Sequence, residues 1–155
     1  MGFNAGMKGT KNSEYEGGHR VPFFISYPNG NIGGGKDVAT LTANVDILPT
    51  LASLCGLKTP NRELDGMDFS PLLTGNTTTL NRNYLITDSQ RLQEPQKWKK
   101  SAVMSDKWRL INGKELYDIT RDPGQDKDIA KSNPAKVATM RGYYCLLYTS
   151  DAADE

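Results

Sequence analysis

Lys8-Gly9-Thr10-Lys11-Asn12-Ser13-Glu14-Tyr15-Glu16-Gly17-Gly18-His19-Arg20-Val21-Pro22 runs directly into Phe23-Phe24-Ile25-Ser26-Tyr27-Pro28. Basic, small and polar residues pass through a Gly-Gly corner into a short apolar run bounded by two prolines. That order predicts a loop feeding a buried strand over residues 21–27. Pro22 falls at the first strand position, where no ladder donor is needed. Residues 1–20 show no period of 2 or 3.6 and read as an active-site loop. Enzymes of the α/β class commonly present an anion-contacting loop in this way, with glycines that let the backbone approach neighbouring chain closely. Lys11 is the expected anion ligand.

The spacing Lys11, Glu16, Gly17-Gly18, Arg20, Val21-Pro22 and then an apolar strand resembles the end of the catalytic domain of sulfatases, the formylglycine-dependent members of the alkaline-phosphatase-like superfamily. The resemblance implies that Lys11 touches the sulfate group. It also implies a cysteine matured to formylglycine as nucleophile and a calcium ion in the full-length enzyme, neither expected to be held by these residues. His19 is expected to contact substrate and Glu16 with Arg20 to pair structurally.

Further landmarks follow in the family's order. Asn44-Val-Asp46-Ile-Leu-Pro-Thr-Leu, closing on Gly56-Leu57, predicts a helix with Asn44 or Asp46 at its start, Pro49 in the first turn and Gly56 as its stop. Leu48, Leu51, Ala52, Leu54 and Cys55 recur at three- and four-residue spacing, so that face is expected to pack on a sheet, with Cys55 as a small core residue. Asp65-Gly66 reads as a turn and Pro71-Leu72-Leu73 as a short helical anchor. Gly30 and Gly35-Lys36 mimic a nucleotide-binding loop, but Asp37 stands where a magnesium-binding hydroxyl belongs, so the segment reads as a surface turn.

Beyond Asn83 the pattern changes to short strands at 84–87, 101–104, 108–111 and 115–119. Asn112-Gly113 predicts a tight hairpin pairing 107–111 with 114–119 antiparallel. Residues 134–144 read as a helix with Pro134 in its first turn, laying Val137, Met140 and Tyr144 on that sheet. The fold class expected is therefore α/β: the C-terminal part of an alkaline-phosphatase-like domain (1–75), then a small antiparallel sheet packed by a C-terminal helix (76–144). The linker 89–100 carries Arg91, Lys97, Trp98, Lys99 and Lys100; a solvated loop is expected, and its basic charge and single ring offer a contact to an anionic sugar.

The chain has 155 residues, 37% of them hydrophobic, enough for one modest core. A net charge of +1, with scattered basic residues, argues against a nucleic-acid binder driven by phosphate neutralisation. No segment approaches the ~20 apolar residues of a membrane helix. Cys55 and Cys145 have neither zinc nor disulfide spacing. Cys145-Leu-Leu-Tyr-Thr-Ser-Asp-Ala-Ala-Asp-Glu155 reads back into codons as a shotgun-library adapter, so 145–155 is expected to be read-through. Met1 is expected to be the edge of a fragment.

Sulfate esters resist attack because their anionic oxygens repel nucleophiles, so catalysis needs charge neutralisation and a strong nucleophile. The sequence has no Cys-x-Pro/Ala-x-Arg motif and no Asp-Asn pair. The resemblance thus implies a sulfatase fragment, inactive alone, whose parent hydrolyses glycan or aryl sulfate esters in a periplasmic or secreted setting, with the missing N-terminal part as its structural partner. Two alternatives stay open: a phosphoesterase or phosphonate hydrolase of the same superfamily, and a non-catalytic anion- or glycan-binding module.

Overall fold

The computed structural model describes residues 3–58 and 63–151. The chain forms two compact units, one joining residues 1–21 to 83–155 and the other spanning 22–82.

The first unit is built on four antiparallel strands, β1 (Leu85–Asp88), β2 (Ser101–Met104), β3 (Trp108–Ile111) and β4 (Glu115–Asp118), in that spatial order. Each pairs with its sequence neighbour, so the sheet is a meander. The β3–β4 hairpin forms at the predicted turn: Asn112 and Gly113 take φ values of 50° and 64°, which suits a turn whose twist matches the strands it joins. The register Val103↔Leu110↔Leu116 puts three apolar side chains on one face, since alternate residues point to the same side.

Helix α4 (Pro134–Asp151) covers that face. Val137, Met140 and Tyr144 close the core against Val103, Leu110 and Leu116, with Tyr84, Ile86, Trp98 and Trp108 around its edge. The helix runs seven residues beyond the predicted end at 144. No glycine or proline follows Gly142, so nothing interrupts the backbone ladder. Residues 152–155, the end of the segment expected to be adapter-derived, lie outside the described residues.

The opposite face of the sheet carries Arg109 and Tyr117, cross-strand partners in β3 and β4. Residues 8–19 lie on it. A short helix, α1 (Glu16–His19), ends that segment.

In the second unit, α2 (Ile47–Leu54) and α3 (Ser70–Thr74) pack together. Asp46, just ahead of α2, accepts hydrogen bonds from the backbone N–H of Ala43 (2.7 Å) and of Met67 (2.8 Å). Arg82 donates to both its oxygens at 2.6 and 2.5 Å. Thr50 Oγ1 accepts from Phe69 N–H at 3.0 Å. These polar ties turn Asp46, Pro49, Thr50 and Ala52 inward.

Two expectations fail here. The helix face predicted to be buried is largely outside: Leu48 is 53% exposed, and Leu51 and Cys55 are exposed too. Buried polar groups must be satisfied, and doing so around Asp46 and Thr50 fixes the helix's rotation more firmly than its apolar spacing does. Cys55 is therefore not a core residue. Nor do residues 21–27 form a strand: only Tyr27 makes an isolated bridge, to Ile32, and Phe24 is 91% exposed. A strand exists through its ladder, and among the described residues no segment lies alongside 21–26 to supply one.

Candidate active-site loop

The lysine loop is fixed from beneath. Ser13 N–H donates to Thr10 O (2.8 Å), closing a turn with Lys11 and the left-handed Asn12 (φ 69°) at its tip. Gly17 N–H donates to Lys8 O (2.8 Å). The backbone packs so closely that a Cβ on Gly18 would lie 2.0 Å from Ser13 O, which explains the Gly-Gly corner by close approach.

Glu16 is the anchor. Its side chain is buried, and Oε1 accepts from Arg109 Nε at 2.5 Å. His19 Nε2 lies 3.2 Å from the same oxygen, and Gln125 Oε1 accepts from Glu16 N–H at 2.8 Å. Arg109 is itself buried and also donates to the carbonyls of Ser105 and Trp108. Burial pushes the Glu16 pKa up, but the hydrogen bond from His19 and the charge and hydrogen bond of Arg109 outweigh it, holding it at about 2. The expected Glu16–Arg20 pair is present only loosely, at 3.6 Å, with Arg20 largely in solvent. Sequence reasoning missed Arg109 because no local signal links residues so far apart.

Lys11 is exposed at the turn tip, and among the described residues no hydrogen bond or ion pair holds its ammonium. Lys8, expected to be an ordinary surface lysine, is instead packed. Its Nζ stands 4.5 Å from the Tyr15 ring centroid and 5.2 Å from that of Tyr117, and donates to Tyr117 Oη (3.2 Å) and Gln125 O (3.3 Å). Both phenols donate to Glu115 Oε2, at 2.9 and 2.5 Å. Burial first, then that carboxylate, push both phenol pKa values well above the usual tyrosine range.

His19 is mostly buried; Nε2 is engaged by Glu16, while Nδ1 is buried without a partner. Trp98 stacks on Tyr144 with centroids 3.9 Å apart. A Cβ on Gly113 would lie 2.6 Å from its Cδ2. The ring is thus an anchor for its loop rather than an open sugar platform.

Among the described residues, no group of three or more His, Cys, Asp or Glu could hold a metal ion. These residues do not fit a calcium cage, and no chemical step is derived through one.

The family described as N-sulphoglucosamine sulphohydrolase, C-terminal, matches residues 10–141. The chain belongs to the sulfatase family. It is similar to the steryl-sulfatase of Mus musculus, 31% identical over a gapped alignment of 160 positions that covers 83% of this chain and 25% of that protein. Arylsulfatase A of Homo sapiens is 48% identical over 65 residues, 42% of this chain and 12% of that one. This sulfatase chain thus spans about a quarter or less of the length of these relatives. A solved Bacteroides thetaiotaomicron structure, described under metabolism of multiple glycosaminoglycans, superposes with a TM-score of 0.74 at 23% identity. It covers 94% of this chain and 32% of that one. The sulfatase fold expected from the sequence, the C-terminal part of an alkaline-phosphatase-like α/β architecture, is the one present.

Proposed function

We propose that this chain is the C-terminal part of a sulfatase whose whole protein hydrolyses glycan or aryl sulfate esters, and that Lys11 holds a sulfate oxygen there. The observation that carries this reading is the contrast within one loop. Glu16 is locked to Arg109 in the interior, while Lys11, five residues earlier, presents an unpaired ammonium from a turn that cannot drift far. A point charge so placed stabilises negative charge that builds in the transition state without reorganising first. His19 is proposed as a substrate contact in the whole protein.

The nucleophile and metal ligands belong, on this reading, to an upstream segment, as does any calcium; the 155 residues alone turn nothing over. Formylglycine there would supply the attacking oxygen. Residues 1–75 are taken as the end of the catalytic domain, 76–144 as the C-terminal subdomain and 145–155 as adapter-derived. A periplasmic or secreted location goes with the parent. Sequencing upstream tests the reading: a Cys-x-Pro/Ala-x-Arg motif supports it, whereas Thr or Ser at the nucleophile position would overturn it in favour of a phosphoesterase. Turnover of an aryl sulfate by the purified 155-residue chain would overturn the assignment of the nucleophile to an upstream segment.

A further inference from the structure

The turn that follows β4 is mounted on the sheet at both ends. Asp122 N–H donates to Asp118 O (2.8 Å). Further on, Leu116 N–H donates to Asp128 Oδ1 (2.9 Å) and Ile129 N–H to Leu116 O (2.9 Å). Asp122 fastens the turn from within: its carboxylate accepts from the N–H groups of Asp126 (3.0 Å) and Lys127 (2.9 Å), and its carbonyl from Gln125 N–H (3.1 Å). Gln125 leaves this turn fully buried, with a left-handed backbone (φ 55°).

Two features of Gln125 oppose folding. A side chain with a Cβ is disfavoured in the left-handed region. Its Nε2 is also buried without a hydrogen-bond partner among the described residues, which forfeits the hydration of a strong donor. Glycine would relieve the first penalty and an apolar side chain the second. Such local penalties persist where the surroundings over-determine them, and they concentrate at functional positions. What Gln125 supplies in return is a grip on the lysine loop. Oε1 accepts from Glu16 N–H (2.8 Å) and the main-chain carbonyl from Lys8 Nζ (3.3 Å), so one residue holds the loop on either side of Lys11. The Glu16 bond is the firmer of the two, because it is buried and grips backbone, whereas the Lys8 side chain is partly exposed.

We propose that Gln125 is a positioning residue whose side-chain oxygen sets the place of the turn that carries Lys11. Arg109 pins the Glu16 side chain and Gln125 pins its peptide, so the residue is fixed at two points. The hold passes along the main chain: Gly17 N–H donates to Lys8 O (2.8 Å), and Ser13 N–H donates to Thr10 O (2.8 Å) to close the turn around Lys11. A point charge acts on a developing anion only where it already stands, and a shift of about 1 Å weakens that contact. The inference rests on the role proposed for Lys11 and deepens it by naming what places the ammonium.

The test is a double-mutant cycle in the longer protein, read as kcat and KM on one sulfate ester and as hydrogen exchange at the Glu16 and Ser13 amides. Gln125→Met keeps the side-chain length and removes the acceptor, while Gln125→Glu keeps an oxygen in its place. Gln125→Met should lower kcat roughly tenfold with KM little changed, and both amides should exchange faster. Once Lys11→Ala is present, it should cost no more than about twofold further. Gln125→Glu should restore protection and most of kcat. Val137→Ala, which opens space in the core under α4, controls for lost stability and should leave kcat within about twofold. Wild-type protection at both amides in Gln125→Met overturns the proposal, whatever Lys11 does. So does an unchanged kcat beside a loss in Lys11→Ala, a loss as large in the Lys11→Ala background as without it, or one matched by Val137→Ala. If Lys11→Ala by itself leaves kcat intact, the role proposed for Lys11 falls, and exchange at the two amides still decides whether Gln125 sets the turn.

Discussion

Arg109 Nε donates a 2.5 Å hydrogen bond to Glu16 Oε1 across 93 residues of sequence, and the Glu16 side chain is only 3% exposed. This pair ties the lysine loop to the sheet. The folded carboxyl takes up its proton near pH 2, against 4.5 ordinarily. On acidification the unfolded chain therefore binds the proton first. The Glu16 contribution, on the order of 3 kcal/mol, is complete above about pH 4.5, shrinks as pH falls and is gone below about 2. Urea unfolding across that window should show stability rising with pH in wild type and a flatter profile in Glu16→Gln. Because that variant leaves the buried Arg109 without its counter-charge, a loss of roughly 3 kcal/mol near neutrality is expected; an unchanged midpoint would contradict the anchor.

Asp46 and Arg82 play the corresponding part in the unit spanning 22–82. Burial opposes the Asp46 charge, but the hydrogen bonds from Arg82 and from the Met67 and Ala43 amides prevail and lower its pKa. Asp46→Ala strands a buried guanidinium and should destabilise this unit by about 3–5 kcal/mol. Hydrogen exchange at the Met67 and Ala43 amides reads the effect directly, and protection equal to wild type would count against it.

Gly18 and Gly113 test close packing at two places. A methyl group at Gly18 would collide with the Ser13 carbonyl, and one at Gly113 would lie 2.6 Å from Trp98 Cδ2 on a residue with φ 64°. Each alanine variant should cost about 1–3 kcal/mol. Gly113→Ala should also perturb the near-UV signal of the Trp98–Tyr144 stack, and Gly18→Ala should not.

The sheet was legible where the chemistry is local. Asn112-Gly113 between two apolar runs fixed the hairpin, and the spacing of Val137, Met140 and Tyr144 fixed the face of α4. Residues 21–27 misled because an apolar run records burial, while a strand also requires a neighbour to complete its ladder. The rotation of α2 was hidden for a related reason: Asp46 reads as a helix cap, and its Arg82 partner lies 36 residues away. The anchor Glu16–Arg109 and the packing of Lys8 between Tyr15 and Tyr117 are products of tertiary folding, with no periodic signature. The basic loop was visible, but whether Trp98 faced a ligand or the core depended on Tyr144.

Lys8 and Lys11 differ in what they can do. Lys8 is spent on two aromatic rings, so Lys8→Ala should cost about 1 kcal/mol of stability and leave turnover of the folded enzyme nearly intact. Lys11 has an unpaired ammonium and contributes nothing visible to the fold. The decisive measurement is kcat/KM for Lys8→Ala and Lys11→Ala in the longer protein, on one sulfate ester. The account predicts a loss of about a hundredfold at Lys11, on the order of 3 kcal/mol, with a change of about threefold or less at Lys8. Equal losses, or a larger loss at Lys8, would contradict it.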